Sequence, residues 1–439
     1  MTVSPPTAAP LPLRRDSDFR LYWLARIVSV GGSMVTYVVL PVLVYQLTAS
    51  PVWSALVAAA EALPYLLFGL FAGAVADRRN RRAIMIGTDI ASALVLLSVP
   101  AADLLDRLTP VHVLVAGCAV HSLFVFFDAA NFGALPALAG RDRLAAATAA
   151  VAGTTTVLEL LVPTVMAGLI AVLSPAPLLA LDAVSFIGSA LLIRAIARPL
   201  QQARGGSSGS AGSAGSAGSA GPAGSGVRFR REITEGIRFL IGHPMVRVQT
   251  LIGIVACVAF GAFTGQLVPW ADTALRLDTD DDWRVGLLFT AWGVGGLVAA
   301  TIYPRLVRVL GEVWVTLIVL PLGAGIGLGL AAADHWTLAT ALVALWAVPS
   351  TMLILNTITV RAKVTPDRLQ SRVNTTSRML TFGLGTPVGA LLGGVVANTS
   401  APRHALMVCV AAFAVATAIA WLSPLFRSRH DPALVALAE

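Results

Sequence analysis

Twelve apolar runs, each long enough to cross a membrane, alternate with short polar segments along this chain. A membrane-spanning helix needs about 20 predominantly apolar residues. The pattern therefore predicts an all-α membrane protein whose 12 transmembrane helices form two six-helix bundles. The runs of the first half cover residues 21–47, 52–75, 83–102, 111–134, 151–173 and 177–197. The runs of the second half cover residues 245–270, 284–303, 313–333, 336–361, 373–397 and 404–425.

The composition agrees with this pattern and excludes several classes of protein. Hydrophobic residues make up 56% of the chain and charged residues only 12%, whereas a soluble domain must cover itself with polar surface. A net charge of +8 would suggest a nucleic-acid partner in a soluble protein, but here the charges follow the topology. Cys118, Cys257 and Cys409 each lie in an apolar run without metal-binding spacing. We expect no nucleic-acid partner, no metal site and no disulfide.

No motif for catalysis or nucleotide binding is present in the sequence. The chain has no glycine-rich phosphate loop ending in Lys-Ser or Lys-Thr, which excludes ATP as the energy source on this chain. Its glycines cluster in the apolar runs and in one linker, where close helix contact and flexibility explain them. The sequence predicts a protein without catalytic residues or cofactors.

Basic residues collect on one side of the predicted membrane. With both chain ends on that side, 26 of the 31 basic residues fall there. Arg107, Arg276, Arg284 and Arg403 lie on the other side, and Arg26 lies within the first run. Loops rich in arginine and lysine stay in the cytoplasm. The distribution predicts a multi-pass protein of the inner or plasma membrane with cytoplasmic N and C termini.

The chain divides into segments of different composition. The stretch GSAGSAGSAGSAGPAGSG in the middle of the chain behaves as a flexible coil. The segment after it mixes arginines with large apolar residues, which favours an amphipathic helix on the membrane surface over a solvated lead-in. The predicted divisions are an N-terminal cytoplasmic segment (1–19), a first bundle (20–200), a linker (201–226), an amphipathic interfacial segment (227–244), a second bundle (245–427) and a cytoplasmic tail (428–439).

The two halves of the chain repeat each other at a nearly constant offset. Four matches occur in order, with offsets that fall from 228 to 224 residues. Parallel repeats of this kind in transporters enclose a site near the membrane midplane at their interface. The matched pairs are Pro41 with Pro269, Gly69 with Gly296, Asp142 with Asp367, and Pro163 with Pro387.

The polar turn between the second and third runs carries a motif. It reads Gly73-Ala-Val-Ala-Asp77-Arg78-Arg79-Asn80-Arg81-Arg82. This resembles the signature Gly-x-Leu-Ala-Asp-Arg-x-Gly-Arg-Arg of the major facilitator superfamily. Asn80 replaces the second glycine, and asparagine also tolerates a left-handed turn. The two six-run halves and the central linker agree with the resemblance.

Other segments resemble the drug and siderophore exporter branch of this superfamily, which includes macrolide efflux and enterobactin exporter proteins. The resemblance covers the chain except the first dozen residues, the linker and the tail. It implies export by two bundles that rock about a central site. The matching segments are Asp18 to Trp23, Leu40 to Tyr45, Leu47 to Ser50, Phe126 to Ala129 with Leu135-Pro136, Glu235 to Leu240 with His243-Pro244, and Val364 to Val373.

The resemblance also implies a conformational latch on the cytoplasmic side. Asp77 would face the N-terminus of the eleventh helix, where unpaired backbone N–H groups and the helix dipole favour an anion. Arg81 would pair with Asp128. These contacts would hold the halves together in the outward-open state and break when the transporter opens inward. The predicted latch residues are Gly73, Asp77, Arg78, Arg81, Arg82, Asp89 and Asp128.

Glu61 and Glu159 are candidates for proton coupling or for binding a cationic substrate. A charge in the membrane interior costs about 2.5 to 3.5 kcal/mol unless it is paired, neutralised or wetted. Glu61 lies about 14 Å along its run at the helical rise, which places it near the midplane. Glu159 lies four residues before Pro163. The structural alternative for Glu61 is a protonated carboxyl that is hydrogen-bonded inside the bundle.

Arg26 and Asp182 also lie within predicted spans. Arg26 has two candidate partners, Asp128 and Glu159, and the sequence does not choose between them. Asp182 lies near the outer end of its span and is most simply a helix-packing or interfacial group.

The residues expected to line a central cavity come from the first, fourth, seventh and tenth spans by resemblance to the superfamily. They are mostly aromatic or apolar, which suits a large organic molecule better than a sugar or an inorganic ion. His121 is the one histidine among them, and satisfied packing is favoured over a proton relay. The predicted lining is Thr36, Tyr37, His121, Phe124, Phe127, Phe260, Phe263, Gln266, Trp346, Met352 and Asn356.

The sequence thus predicts a secondary transporter, with proton-coupled efflux of a hydrophobic or amphiphilic small molecule such as an antibiotic, a siderophore or another metabolite. Its expected partners are the small-molecule substrate, protons and the lipid bilayer, and it is expected to be a monomer. The alternative is a sensor, a binding protein or a lipid transporter on the same scaffold.

Overall fold

The computed structural model describes residues 13–140, 143–170, 173–200, 237–277 and 283–423, without some side chains, among them those of Asp77 and Glu159. Within these ranges the chain is helical and contains no β-strand. We number the long helices in chain order. The first half contains α1 (Ser17–Thr48), α2 (Pro51–Arg78), α3 (Arg81–Leu104), α4 (Pro110–Ala139), α5 (Leu144–Ile170) and α6 (Pro175–Ala195). The second half contains α7 (Pro244–Thr273), α8 (283–310), α9 (312–332), α10 (Trp336–Val364), α11 (367–399) and α12 (Pro402–Leu422).

The helices α8 and α9 are the two parts of one uninterrupted stretch, Trp283–Ala332, of 50 residues. A straight helix of that length would measure about 75 Å, more than twice the hydrocarbon thickness of about 30 Å. Gly311 divides it with φ 78° and ψ 160°, a backbone conformation that glycine adopts without steric cost. The chain therefore turns at Gly311 and continues as a second helix.

Ten helical segments of the described ranges are long and apolar enough to cross a membrane. The stretch containing α8 and α9 is one of these ten, and α5 is not among them. Large apolar side chains are exposed on the outer surface, as in Leu94 (66%), Phe132 (76%) and Val395 (60%), where lipid replaces water as the solvent. The predicted all-α membrane fold is confirmed, whereas twelve crossings remain a prediction.

Capping residues and prolines explain where many helices begin. Asp16 accepts a hydrogen bond from Phe19 N at the start of α1, and Thr109 accepts one from His112 N at the start of α4. Five of the helices described here, α2, α4, α6, α7 and α12, have proline at their first position, where its missing N–H costs nothing.

The arginine-rich turn between α2 and α3 is shorter than the motif suggested. Only Arg79 and Asn80 separate the two helices. Asn80 has φ −67° and ψ 112°, so it does not use a left-handed conformation, and its side chain accepts hydrogen bonds from Arg82 N and Ala83 N. Asparagine thus serves here as the N-cap of α3. We call the end of the molecule that carries this turn the hinge end.

The helices pack into two groups that follow the two halves of the chain. In the first half, α1 packs on α5 and α6, and α3 packs on α4 and α6. In the second half, α7 packs on α11 and α12, and α10 packs on the pair α8 and α9. The halves meet where α2 contacts α7 and α11, and where α5 contacts the stretch that contains α8 and α9. This packing leaves a space between the two halves at the centre of the molecule.

Several predicted segments lie wholly or partly outside the described ranges. The linker 201–226 and the tail 428–439 lie outside them. Of the predicted amphipathic segment 227–244, only residues 237–244 are described, and residues 237–242 are helical. The first twelve residues of the N-terminal segment are also outside the described part.

Small residues let α7 and α11 approach closely. A methyl group added at Gly389 would overlap the carbonyl oxygen of Val258, and one added at Gly261 would overlap that of Thr386. Both neighbours are backbone atoms of the facing helix, which cannot move aside independently. Glycine at these two positions therefore sets the distance between the helices.

We predict that Gly389→Val lowers the melting temperature of the purified protein by several degrees, because overpacking forces α7 and α11 apart. Gly87→Ala is the matched control, since nothing lies within 4 Å of a side chain added there. The control should melt within about 1 °C of the wild type. Equal melting temperatures for the two variants would contradict the close-packing argument.

Candidate functional site

A cavity of about 470 Å³ lies between the two halves of the molecule. Its size is within the range of about 300 to 1,000 Å³ that is typical of small-molecule sites. Side chains of α1, α2, α4 and α6 line it from the first half, and side chains of α7, α10 and α11 line it from the second. Much of this lining is apolar or aromatic, including Met34, Val120, Phe124, Phe186, Leu353, Ile354, Ile358 and Phe382.

Two acids from the first half line the cavity and differ in their hydrogen bonding. Glu61 lies on α2, and its Oε1 atom is buried without a hydrogen-bond partner in the described part of the chain. Asp182, on α6, has an exposed fraction of 0% and accepts hydrogen bonds from the hydroxyls of Thr36 and Ser185. Glu61 is therefore the unsatisfied acid of the pair, and Asp182 ties α6 to α1.

Asp182 was predicted to serve helix packing. The structure places it in both roles, since the hydrogen bond that it accepts from Thr36 joins α6 to α1 while the residue lines the cavity. Sequence reasoning missed its position in the cavity because the depth of a residue along its span does not show which neighbouring helix it meets.

Two arginines line the cavity from the second half. Arg361 lies on α10 and Arg378 on α11. Arg378 donates hydrogen bonds to Asp128 Oδ2 at 3.2 Å and to the Tyr65 hydroxyl at 3.0 Å. Its guanidinium also lies over the Tyr65 ring, 4.7 Å from the centroid, in a cation–π contact. Arg378 thus bridges the halves, because both of its partners belong to the first half.

Aromatic contacts continue this bridge into the cavity wall. Tyr65 meets Phe124 edge-on, with ring centroids 6.4 Å apart, and meets Phe382 of the other half at 5.7 Å. Phe382 lies in Met379–Gly385, a π-helical segment inside α11, and such segments are frequent at functional sites. Tyr37 similarly meets Phe289 of the other half at 6.4 Å.

His121 lines the cavity and is satisfied by its own helix. Its Nδ1 atom lies 3.0 Å from the carbonyl oxygen of Gly117, one turn earlier in α4. This agrees with the packing interpretation of the sequence.

Several residues expected in the cavity lie elsewhere, which corrects the sequence-based set. Gln266 has an exposed fraction of 0% and donates from Nε2 to the Pro51 carbonyl oxygen at 3.0 Å. Asn356 is equally buried, donates to Glu312 O and accepts from the Tyr303 hydroxyl. The amide nitrogens of both residues are hydrogen-bonded to neighbouring helices, whereas Gln266 Oε1 has no partner among the described residues. Phe127, Phe260, Phe263, Trp346 and Met352 also lie outside this cavity lining.

Among the described side chains Arg26 is not at ion-pair distance from Asp128, one of its two predicted partners. Its guanidinium lies over the Phe127 ring, 5.5 Å from the centroid. Its Nε and Nη1 atoms are buried without a hydrogen bond in the described ranges, and Asp89 lies within electrostatic range. Glu159 belongs to α5, and its side chain lies outside the described residues.

The predicted latch residues spread over several contacts. Arg81 donates to the Gly133 carbonyl oxygen at 2.8 Å, and Arg82 donates to the Arg198 carbonyl oxygen at 2.6 Å, both within the first half. Arg78 is exposed, and Asp89 is buried in α3. Gly73 has open space beside it. The side chain of Asp77 lies outside the described residues.

The contact that joins the halves at the hinge end is made by Asp128 with Arg378. Arg81 was expected as the partner of Asp128, and Arg378 was not singled out by the sequence. An arginine that follows a polar helix segment gives no sign of the helix it will face, so only the tertiary structure shows this pair.

A second polar network at the hinge end, also missed by sequence reasoning, ties α1 to α6. Asp18 accepts hydrogen bonds from Ala197 N at 2.9 Å and from Arg198 Nε at 2.8 Å. Asp16 forms ion pairs with Arg198 and with Arg143, the latter at 3.3 Å. These contacts hold the ends of α1, α4 and α6 together within the first half.

The opposite end of the molecule has its own bridge between the halves. The Tyr45 hydroxyl donates to Asp272 Oδ2 at 2.6 Å. Gln266 and Pro51 add a second hydrogen bond nearby along α7 and α2. Both ends of the cavity are therefore spanned by a small number of polar contacts.

Comparison with known proteins places the chain in a family. The model of the major facilitator family described as transmembrane secretion effector matches residues 7–434. The chain belongs to this family. The fold and family are those of major facilitator transporters, which are not enzymes.

Sequence similarity to one curated protein is local. The transporter is 35% identical over 125 residues to the multidrug efflux pump Tap of Mycolicibacterium fortuitum. The aligned stretch covers 28% of the transporter and 30% of the pump, so it spans less than a third of the length of that relative.

Solved structures with low sequence identity share the whole fold. A bacterial homologue of the iron transporter ferroportin in the inward-facing state has a TM-score of 0.70 at 14% identity, covering 96% of the transporter and 100% of that chain. The nucleoside transporter NupG also has a TM-score of 0.70, at 11% identity, with 96% and 100% covered. These likenesses establish the fold alone.

We predict that the Asp128–Arg378 ion pair and the Tyr45–Asp272 hydrogen bond hold opposite ends of the transporter closed. Cys257 lines the cavity with an exposed fraction of 8%, and a Cys118→Ser, Cys409→Ser background leaves it as the only thiol of three. In this background, Asp128→Asn should raise the rate of Cys257 alkylation by an impermeant maleimide from the hinge side by about 1.5- to 5-fold, the range expected for a partly exposed ion pair.

Tyr45→Phe is the matched variant at the opposite end. It should raise the alkylation rate from the opposite side and leave the hinge side unchanged or slower. Labelling in denaturant checks that the thiol has the same reactivity in all variants. Identical rates from both sides in every variant would show that these contacts do not control access.

Proposed function

We propose that the transporter is a proton-coupled exporter of a hydrophobic or amphiphilic small molecule, such as an antibiotic, a siderophore or another metabolite. Alternating access between its two halves would move the substrate from the cytoplasm to the outside. The local similarity to a multidrug efflux pump supports export, and the transporter family supports secondary transport.

The position of Glu61 is the observation that carries this proposal. The side chain lies in the cavity, and its buried Oε1 atom has no hydrogen-bond partner in the described part of the chain. A carboxylate in such surroundings is costly unless it is neutralised or wetted. Binding a proton removes the charge of Glu61. Protonation of Glu61 can therefore shift the equilibrium between the conformation that opens to the cytoplasm and the one that opens to the outside.

The lining supports an organic substrate with a substantial apolar body. Phe124, Phe186 and Phe382 line the cavity together with aliphatic residues of α10. Surfaces of this kind bind large apolar groups with little directional selectivity. A small set of polar side chains in the same cavity would then orient the substrate.

The contacts at the two ends support alternation between states. The Asp128–Arg378 ion pair closes the hinge end, and the Tyr45–Asp272 hydrogen bond closes the opposite end. Each contact is small enough to break during a cycle, because partly exposed polar contacts contribute about 1 kcal/mol or less. The predicted latch residues of the turn 78–82 would then act within the first half by fixing α3, α4 and α6 as one body.

The site of action in this proposal is the inner or plasma membrane, with both chain ends in the cytoplasm. The asymmetric distribution of arginines supports this orientation. The functional unit is proposed to be a monomer in the lipid bilayer, since the cavity is formed by one chain.

We predict that Glu61→Gln abolishes substrate transport driven by a pH gradient, because the amide cannot exchange a proton. The measurement uses proteoliposomes with an internal pH-sensitive dye, an imposed pH gradient, and a panel of macrolides, siderophores and lipophilic cations. The wild type should show compound-dependent proton flux. The variant should show none, while exchange of labelled substrate without a gradient continues.

Glu61→Asp is the matched control, since it keeps a titratable carboxyl at the same position and should retain part of the flux. Asp182→Asn tests the hydrogen-bonded acid of the same cavity and should keep coupling. Full gradient-driven transport by Glu61→Gln would remove Glu61 from the mechanism. Silence of the wild type with every compound would favour a sensor or binding protein on the same scaffold.

The orientation generates a separate prediction. A fluorescent protein fused to the C-terminus should fluoresce in cells, and alkaline phosphatase fused there should stay inactive, because the former folds in the cytoplasm and the latter folds outside it. A phosphatase inserted after Asp106, in the connection between α3 and α4, should be active. The reverse pattern would overturn the cytoplasmic termini.

A further inference from the structure

Arg361 is a cationic side chain of the cavity that has no acidic partner among the described residues. It lies on α10, lines the cavity, and is 7% exposed. Among the described residues its guanidinium forms no ion pair within 4.0 Å. A guanidinium stays protonated in proteins. A permanent positive charge therefore faces the cavity from a region where uncompensated charge is costly.

Nearby basic side chains of the same half are compensated, so the condition of Arg361 is specific. Arg378 pairs with Asp128. Lys363, two residues from Arg361 on α10, pairs with Glu312 at 2.5 Å. Asp128 and Glu312 are thus paired with other cations, and the guanidinium of Arg361 is left to face the cavity.

The surroundings of Arg361 combine an apolar wall with few polar groups. Leu353, Ile354 and Ile358 of α10 line the same cavity, and the thiol of Cys257 lies within electrostatic range. Asn374 of α11 also lines it and offers an amide donor. A guanidinium beside apolar side chains matches a ligand that carries an anionic group on an apolar body.

The charges of the cavity are divided between its two walls. Within the described lining, the acids Glu61 and Asp182 come from the first half and the arginines Arg361 and Arg378 from the second. Glu61 and Arg361 are not within ion-pair distance of each other. An anionic group would therefore bind to the wall formed by α10 and α11 and stay away from Glu61.

We propose that Arg361 is the anion-binding residue of the cavity and that the transported molecule is an amphiphile carrying a carboxylate. Binding of an anion by Arg361 does not depend on the proposed function, whereas calling the bound molecule a substrate rests on that function. The guanidinium binds the carboxylate through two parallel N–H donors, and the apolar body of the ligand lies along the aliphatic and aromatic wall. This assignment narrows the substrate from hydrophobic molecules in general to organic acids with a large apolar part.

A competing role for Arg361 is an ion pair with Glu61 in another conformation of the transporter. In that case its loss would disturb the protein independently of the ligand. Carboxylate and neutral ligands would then weaken equally. The ratio of their affinities separates the two roles and does not depend on the fraction of folded protein.

The test measures binding to the full-length protein in lipid nanodiscs by titration calorimetry, with empty nanodiscs as the blank. The probes are 4-(1-naphthyl)butyrate, the corresponding primary amide and the corresponding amine, which share one apolar body. The wild type should bind the carboxylate about 10- to 100-fold more tightly than the amide, as expected for one charge-assisted pair. Arg361→Gln should remove this preference, and Arg361→Lys should keep part of it because the charge remains.

Ile358→Val is the matched control on α10 and should keep the preference, since it removes one methylene and no charge. Equal affinities for carboxylate and amide in the wild type, or absence of carboxylate binding, would overturn the proposal. A preference that persists in Arg361→Gln would overturn it as well. Charge-selective binding without gradient-driven transport would leave the anion site standing and would count against the proposed function alone.

Discussion

The cost of placing charge in the membrane interior governs where ionisable side chains lie in this transporter. Most charged residues avoid the cost by lying at the ends of helices, where Asp16, Asp18 and Arg198 neutralise one another. Of the ionisable residues that remain within the spans, several find a partner or face the cavity, whereas Arg26 and Asp89 are buried in the first half with atoms that have no hydrogen bond among the described residues. Asp182 is held by hydroxyls and Arg378 by Asp128. Glu61 and Arg361 face the cavity without such partners. The cavity therefore holds two ionisable side chains that the described part of the protein leaves without a charged partner.

The two halves of the transporter can move relative to each other because few polar contacts join them. Within the second half, close contact of α7 with α11 depends on glycines whose neighbours are backbone atoms, so these helices resist sliding apart. Between the halves, the polar contacts named among the described residues are few: at the hinge end Arg378 pairs with Asp128 and donates a hydrogen bond to Tyr65, and two hydrogen bonds lie at the other end. Few polar contacts therefore have to break when the halves move relative to each other. A structure built in this way favours movement of whole bundles over deformation of single helices.

Substrate selection follows from the same division. The apolar lining contributes affinity but does little to fix the orientation of a bound molecule. The unsatisfied polar groups fix that orientation. Glu61 lies on the wall of the first half and Arg361 on that of the second, so any molecule that engages both must contact both halves. Such contact gives a substrate different interactions in different conformations, which is the condition for coupling its binding to movement.

The amino-acid sequence by itself determined the class of protein, the positions of most spans and the family. Three features depend only on local composition and spacing, which do not change with the fold. They are the apolar runs of membrane length, the arginines on one side and the motif around Asp77 to Arg82. The sequence also selected Glu61, because a lone acid deep in an apolar run is costly in any packing. It misplaced Gln266 and Asn356, and it assigned Asp128 to the wrong arginine contact. Only the tertiary structure decided which side of each helix faces the cavity and which charges meet across the halves. The physical reason is that helices in an apolar solvent can be rotated about their axes with little change in hydrophobic burial, so the facing side is fixed by close packing at small residues and by polar contacts between residues far apart in the chain.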